Sequence, residues 1–136
     1  MATVAGGVTD LDACERAASS VLERSSIEII VVHSPAGAIA LPRGEPILFH
    51  APVAVPSSEI AGANGAGDAF AAGLIYALHE AWPLIEALQL AHATAAASLR
   101  NISTTESVES WKDCLALASQ WGWRHPSPSP HRHQRA

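Results

Sequence analysis

Lysine is almost missing from this chain: Lys112 is the single one in 136 residues, and seven arginines complete the basic set. Thirteen acidic side chains oppose those eight bases, leaving a net charge of −5. A surface so short of positive charge speaks against the basic face on which nucleic-acid binders depend. Aromatic residues make up only 5 %. Large rings therefore cannot fill most of the interior, and alanine, at 27 positions, must do so by close packing. The two cysteines, Cys14 and Cys114, form no C-x-x-C and no close Cys/His spacing, which excludes a zinc motif. Scattered thiols suit a reducing compartment, where they pack as small apolar groups, so a cytoplasmic location is expected. The densest apolar stretch, Ala69 to Leu78, is ten residues long and follows Asp68. A bilayer-spanning helix needs about 20, so no membrane contact is expected. Met1 to Gly7 lack the basic start and long apolar run of a signal peptide.

What is present is enough for one folded unit. Hydrophobic residues are 49 % and charged residues 15 %. A chain of this length buries roughly two thirds of its unfolded surface without staples. The charge is unevenly spread. Residues 1–123 carry five basic and thirteen acidic side chains, while residues 124–136 carry three arginines and no acid. The acidic body thus ends in a basic tail rich in Pro, Ser and His, which is expected to be disordered. His125, His131, His133 and the arginines there give a metal or nucleic-acid site only in a weaker reading.

Periodicity supplies the elements. Thr9-Asp10-Leu11-Asp12 reads as a capped helix start, with Thr9 as the cap. Leu11, Cys14, Ala18, Val21 and Leu22 then recur at helical spacing to about Ser25. Ile27 to Val32 is short, β-branched and apolar except for Glu28, as a strand covered on both faces would be, and a helix feeding such a strand predicts a parallel α/β sheet. Ser34-Pro35-Ala36-Gly37 is a turn. Ala38 to Leu41 and Ile47 to Phe49 are short strands of a small meander, separated by Pro42-Arg43-Gly44-Glu45. Pro52 to Pro56 is extended. Helices are expected over 66–79, from Trp82-Pro83 to about Arg100-Asn101, and over 108–121. Pro83 suits the first turn of the second of these, and Leu84, Leu88, Ala91 and Ala95 mark its buried face.

Gly62-Ala63-Asn64-Gly65-Ala66-Gly67-Asp68 is the most distinctive stretch, placed between an extended segment and a helix. Small residues there let a ligand approach the backbone, and the first N–H groups of the helix suit an anion. A tight turn without a ligand has the same spacing. Two phosphate loops are excluded. A dinucleotide fingerprint read from Gly65 needs Gly or Ala at position 70, where Phe70 stands. A P-loop read from Gly62 needs Lys and Ser/Thr after Gly67, where Asp68 and Ala69 stand. An Asp at an anion-binding helix start can instead take the proton of a hydroxyl attacking a phosphoryl group, while backbone N–H groups hold the charge. Asp68 also simply complements the helix dipole, an effect of about 0.3–1 kcal/mol.

Asn64-Gly65-Ala66-Gly67-Asp68-Ala69-Phe70-Ala71-Ala72-Gly73 resembles the C-terminal signature of the ribokinase-like, or PfkB, carbohydrate kinases, Asp-Thr-Thr-Gly-Ala-Gly-Asp-x-Phe. Ile29 to Gly37 resembles that family's strand and nucleotide-binding turn, and Glu86 to Asn101 its Ala-rich later helix. The likeness covers residues 4–123. It implies the C-terminal part of a three-layer αβα ribokinase-like fold, with parallel strands and a small meander. It implies ATP-dependent phosphorylation, with Mg²⁺, of a hydroxyl on a sugar or sugar-like molecule. By position, Asp68 resembles the general base, and Gly65, Ala66 and Gly67 the anion hole. Ser34 and Gly37 fall on the turn beside the nucleotide. His92 falls on the adenine pocket, although on spacing alone it is an ordinary helix-face side chain.

Three departures qualify the likeness. Gly62-Ala63-Asn64 replaces Asp-Thr-Thr, removing the carboxylate and hydroxyls a monovalent-cation site would use. In the family's Asn-x-x-Glu element, Met1 takes the Asn position and Val4 that of the metal-positioning Glu, and valine carries no oxygen for the water shell of Mg²⁺. The resemblance also implies an N-terminal half, carrying the first strands, a lid and most sugar contacts, that precedes this point in the family. The chain is accordingly expected to be incomplete as a kinase alone. It would act with a partner chain supplying that half or as a homo-oligomer, or be a non-catalytic remnant or nucleotide-binding module. An apolar sheet edge and apolar helix faces should then be exposed.

Overall fold

In a computed structural model of the chain, residues 4–5, 8–63, 65–100 and 110–124 are described. A short hairpin, β1 (Val4–Ala5) and β2 (Val8–Thr9), leads into helix α1 (Leu11–Glu23). The cap is Asp10 and not Thr9. The Asp10 carboxylate accepts the Ala13 N–H at 3.0 Å, whereas Thr9 is committed to β2. Ionised oxygen at a helix start also meets the positive end of the dipole. At the other end of α1, Arg43 supplies what the helix lacks. Its guanidinium donates to the carbonyls of Leu22, Ser25 and Ile27 at 2.7–2.8 Å, so one planar fork ties the end of the helix to the segment that follows it.

Three strands follow: β3 (Ile29–Ser34), β4 (Gly37–Pro42) and β5 (Leu48–His50). They form an antiparallel meander in the order β3-β4-β5. The meander agrees with expectation and the parallel pairing does not. Only Pro35 and Ala36 separate β3 from β4, and so short a connection can return the chain only antiparallel. β3 also starts two residues later than its apolar run, and most of its side chains are half-buried instead of fully covered. It lies at the sheet's edge while β4 holds the buried centre.

Alternation along β4 sorts the layers. Ile39 and Leu41 pack with Cys14 and Ala18 of α1. Ala38 and Ala40 face the opposite side and meet Phe70, Leu88, Ala91 and Ala95. Those residues belong to α2 (Ala66–His79) and α3 (Leu84–Ser98). The chain is therefore a three-layer α/β unit, with α1 on one face of the sheet and α2 and α3 on the other. α4 (Trp111–Trp121) covers the far side of α3, where Cys114 and Ala118 meet Ala93, Ala96 and Ala97. Sandwiched in this way, α3 is buried over most of its circumference from Ala87 to Ser98, beyond the single face its periodicity suggests. Alanine makes this possible, because only small side chains allow a helix to be approached from several sides. Pro83 sits at the N-cap of α3 and not inside its first turn.

Ser110 caps α4 by accepting the Asp113 N–H at 3.3 Å. The expected start of this helix at Val108, Asn101 at the end of the preceding one, and the tail from 125 to 136 lie outside the described residues. Trp123 forms a bridge with Val53, and the Arg124 N–H donates to Pro52 O at 2.8 Å, so pairing continues past Gly122. Part of the expected apolar exposure is present. Ile75 is 65 % and Tyr76 42 % exposed on the outer face of α2.

The β3–β4 turn rests on Gly37. Its φ is +132°, and a Cβ there would lie 2.7 Å from His50 O and 2.8 Å from the Phe49 ring. Backbone cannot give way as a flexible side chain does. Gly37→Ala is expected to lower stability by about 2 kcal/mol or more. Urea melts of the two proteins measure it, and equal midpoints would refute the packing described.

Candidate functional site

The glycine motif is held by α3 before it reaches its own helix. The N–H groups of Ala61 and Gly62 both donate to Leu99 O, at 2.8 and 3.3 Å. Gly65 then takes the left-handed conformation, φ 80° and ψ 2°, as the N-cap of α2. No side chain caps this helix. Its ladder begins when the Ala69 N–H donates to Gly65 O at 2.9 Å. The Ala66 N–H reaches back to Ala63 O at 3.5 Å. Those of Gly67 and Asp68 find no acceptor among the described residues. Asn64 lies outside the described residues.

Gly67 is exposed, and nothing lies within 4 Å of where its Cβ would be. Glycine costs a helix roughly 0.8–1 kcal/mol against alanine. Here no protein atom requires it, so the space left open faces outward. Asp68, also exposed, is the acidic residue of the first turn. Open N–H groups, room beside them and one carboxylate form an arrangement that can take phosphate oxygens and accept a proton at one point.

The expected nucleotide-side residues gather beside this turn, with Gly37 and His92 buried and Ser34 half-buried. Phe70, two positions after Asp68, stacks on the His33 ring with centroids 3.9 Å apart and planes 5° from parallel. His92 meets Phe70 edge-on at 5.1 Å. Its Nε2–H donates to His50 O at 3.1 Å, the same carbonyl that lies closest to Gly37. Ser34 is used inside the turn: Oγ accepts the Ala36 N–H and donates to Gly37 O at 3.0 Å. The structure thus joins Ser34, Gly37 and His92 to the start of α2 through Phe70 and His33. Only 2 % of His92 is exposed. It acts here as a buried hydrogen-bonding group, with no open ring face for a ligand.

His33, His50 and Trp123 belong to this cluster and carry no motif. The signal for the first two is register. Both lie opposite Ala38 across the sheet, so their rings share one face over a small residue. His50 in turn meets Trp123 edge-on at 4.6 Å. A separate cleft of about 280 Å³, lined by Trp82, Glu86, Gln89 and Leu115, shares no residue with the motif.

Phosphate groups fit the start of α2 by the open amides of Gly67 and Asp68. Mg²⁺ does not find a cage there: among the described residues, no three His, Cys, Asp or Glu side chains group to hold a metal. No helix among the described residues is long and apolar enough to cross a membrane.

Three αβα layers, with the glycine-capped α2 in one outer layer, make this a ribokinase-like fold. The chain belongs to the pfkB family of carbohydrate kinases, whose family model matches residues 2–111. It is 35 % identical over 86 residues to an adenosine kinase of Schizosaccharomyces pombe, a match covering 62 % of this chain and 25 % of that protein. In fold it is similar to the phosphofructokinase-2 of Escherichia coli in complex with potassium. The TM-score is 0.66 at 21 % identity, covering 88 % of this chain and 36 % of that one. The ribokinase of Arabidopsis thaliana complexed with ribose and ATP gives 0.66 at 22 % identity, covering 76 % and 33 %. The chain therefore spans about a quarter to a third of the length of these relatives.

Two tests follow from this geometry. Burial pulls the His92 pKa from 6.5 down to about 3, with His33 and His50 adding to the effect. Burial also lowers His33. The unfolded chain binds protons below 6.5 that the folded chain refuses. Stability should thus fall as pH drops from 6.5 toward 3, by about 1.4 kcal/mol per pH unit from His92. His92→Gln should flatten this profile in melts from pH 7 to 5, and an unchanged slope would rule out the assignment. Gly67→Ala should raise stability by about 0.5–1 kcal/mol in urea melts; a lower midpoint would mean that a protein atom does occupy the space beside Gly67.

Proposed function

We propose that this chain carries the phosphate-binding and proton-accepting part of an ATP-dependent kinase acting on a hydroxyl of a sugar or nucleoside. The observation that carries the reading is Asp68 beside the uncommitted amides of α2, in a chain of the pfkB family. The adenosine kinase relative and the ribose and ATP of the Arabidopsis complex support this substrate class. In the reaction, the acceptor hydroxyl gives its proton to the Asp68 carboxylate as its oxygen bonds to the γ-phosphorus. The bond to the bridging oxygen breaks, and ADP leaves with that electron pair. The open amides of Gly67 and Asp68 form the anion hole for the transferred oxygens, with Gly65 and Ala66 shaping the turn that presents them. Ser34, Gly37 and His92 shape the nucleotide side, His92 from within.

Mg²⁺ would arrive with the nucleotide and be held by its phosphates and by groups outside the described residues. The remaining sheet and substrate contacts would come from a further segment, a partner chain or a second copy. The exposed apolar face of α2 supports this, because a helix hydrophobic all round is normally covered. ATP chemistry and two buried cysteines, Cys14 and Cys114, suit the cytoplasm. A second reading, nucleotide binding without turnover, is favoured by the fraction of its relatives' length that the chain spans.

The test is ADP release from ATP and Mg²⁺ with a panel of sugars and nucleosides, alongside ATP protection of residues 65–68 against hydrogen exchange. Protection is expected, with Asp68→Asn lowering transfer by about 10²–10⁴-fold. Protection without turnover would select the second reading. No protection would overturn both, and undiminished transfer by Asp68→Asn would remove it as the base.

A further inference from the structure

Thr94 stands in the middle of an alanine-rich helix, 7 % exposed, where alanine would be the better helix former. Its Oγ1 lies 2.9 Å from Ala91 O and 3.1 Å from Leu90 O in its own helix. It lies closer, at 2.7 Å, to Ala69 O on α2. A threonine hydroxyl has one proton to donate, and the shortest of these contacts crosses between helices. Ala69 is the residue directly after Asp68.

Gly73 explains how the hydroxyl reaches that carbonyl. A Cβ on Gly73 would collide with Thr94 Oγ1, and it would also lie 3.1 Å from both Ala91 Cα and Leu90 O. By helical register, the Gly73 N–H is itself the ladder donor to Ala69 O. Gly73 and Thr94 therefore converge on one acceptor, from within α2 and from α3. A carbonyl oxygen has two lone pairs and can accept both.

We infer that Thr94 is a positioning residue for the start of α2. Its hydroxyl, admitted by the missing side chain at Gly73, pins the carbonyl of Ala69 to α3. The first turn, with the Gly67 and Asp68 amides and the Asp68 carboxylate, is thereby held at a set distance from His92 of the nucleotide-side cluster, which lies on α3 two residues before Thr94. What the positioned turn does for a ligand rests on the function proposed above; the clamp itself does not.

The test uses the full chain with Thr94→Ser and Thr94→Ala. Both lose the methyl group, and they differ from each other only in the hydroxyl. Hydrogen exchange by mass spectrometry reads the peptide spanning 66–72 against peptides of β3 to β5. Calorimetry with ATP and Mg²⁺ reads binding. Thr94→Ala should exchange about fivefold faster in 66–72 than Thr94→Ser, with β3 to β5 equal in the two. ATP should bind Thr94→Ala about fivefold more weakly, and Thr94→Ser should stay close to the parent chain. Equal exchange of 66–72 in the two variants would overturn the clamp. Acceleration spread evenly over all peptides would also overturn it, by showing a general loss of stability. If the local exchange difference appears but the parent chain binds no ATP, the clamp stands and the kinase reading falls.

Discussion

The close approach of α2 to α3 is the contact on which the rest of the molecule depends. At Gly73 the two helices lie so near that a single methyl group has no room, with Ala91 and Leu90 beneath it. Closeness of this kind requires small residues on both sides, and it sets the height of α2 above the sheet. It also lets Ala38 and Ala40 of the central strand meet Phe70 and Ala91 directly. The glycine motif inherits its position from this contact, because Leu99 O anchors the approach and α3 lies beneath the first turns.

The surplus of alanine thus has a structural cause. A helix packed by the sheet, by α2 and by α4 cannot carry large side chains in three directions. α3 answers with Ala87, Ala91, Ala93, Ala95, Ala96 and Ala97. Bulk is kept to a few positions, Leu88 and Leu90 on α3 and Ile39 and Leu41 against α1. The scarce aromatic rings are correspondingly concentrated. Phe70 lies among the histidines beside the motif, while Trp82 and Trp111 close the outer edge of α3, 5.0 Å apart.

Much of the fold was legible in the chain. α2 begins and ends where its glycines and apolar run place it, and the meander follows its turn residues. The errors have common causes. Thr9 and Asp10 are both good caps, and only the pairing of β2 decides between them. The run at Ile27 to Val32 is apolar enough for a parallel core strand, yet the two-residue turn after it makes it the antiparallel edge of the described sheet. In the site, Asp68 and its glycines were visible because close backbone approach restricts residue type. His33, His50 and Thr94 were not, because single polar residues inside regular elements carry no local pattern.

The sequence by itself determined the family motif, the identity of the acidic group at the helix start and the absence of a lysine beside it. Those properties depend on residue type and short spacing, which are local. The tertiary structure alone decided that His92 is interior and donates to His50 O, that Ser34 spends its hydroxyl within the turn, and that Thr94 reaches Ala69 across two helices. Each of these is a matter of which acceptor lies within hydrogen-bond reach. In the two that cross between elements, donor and acceptor are 42 and 25 positions apart, and only packing brings them together.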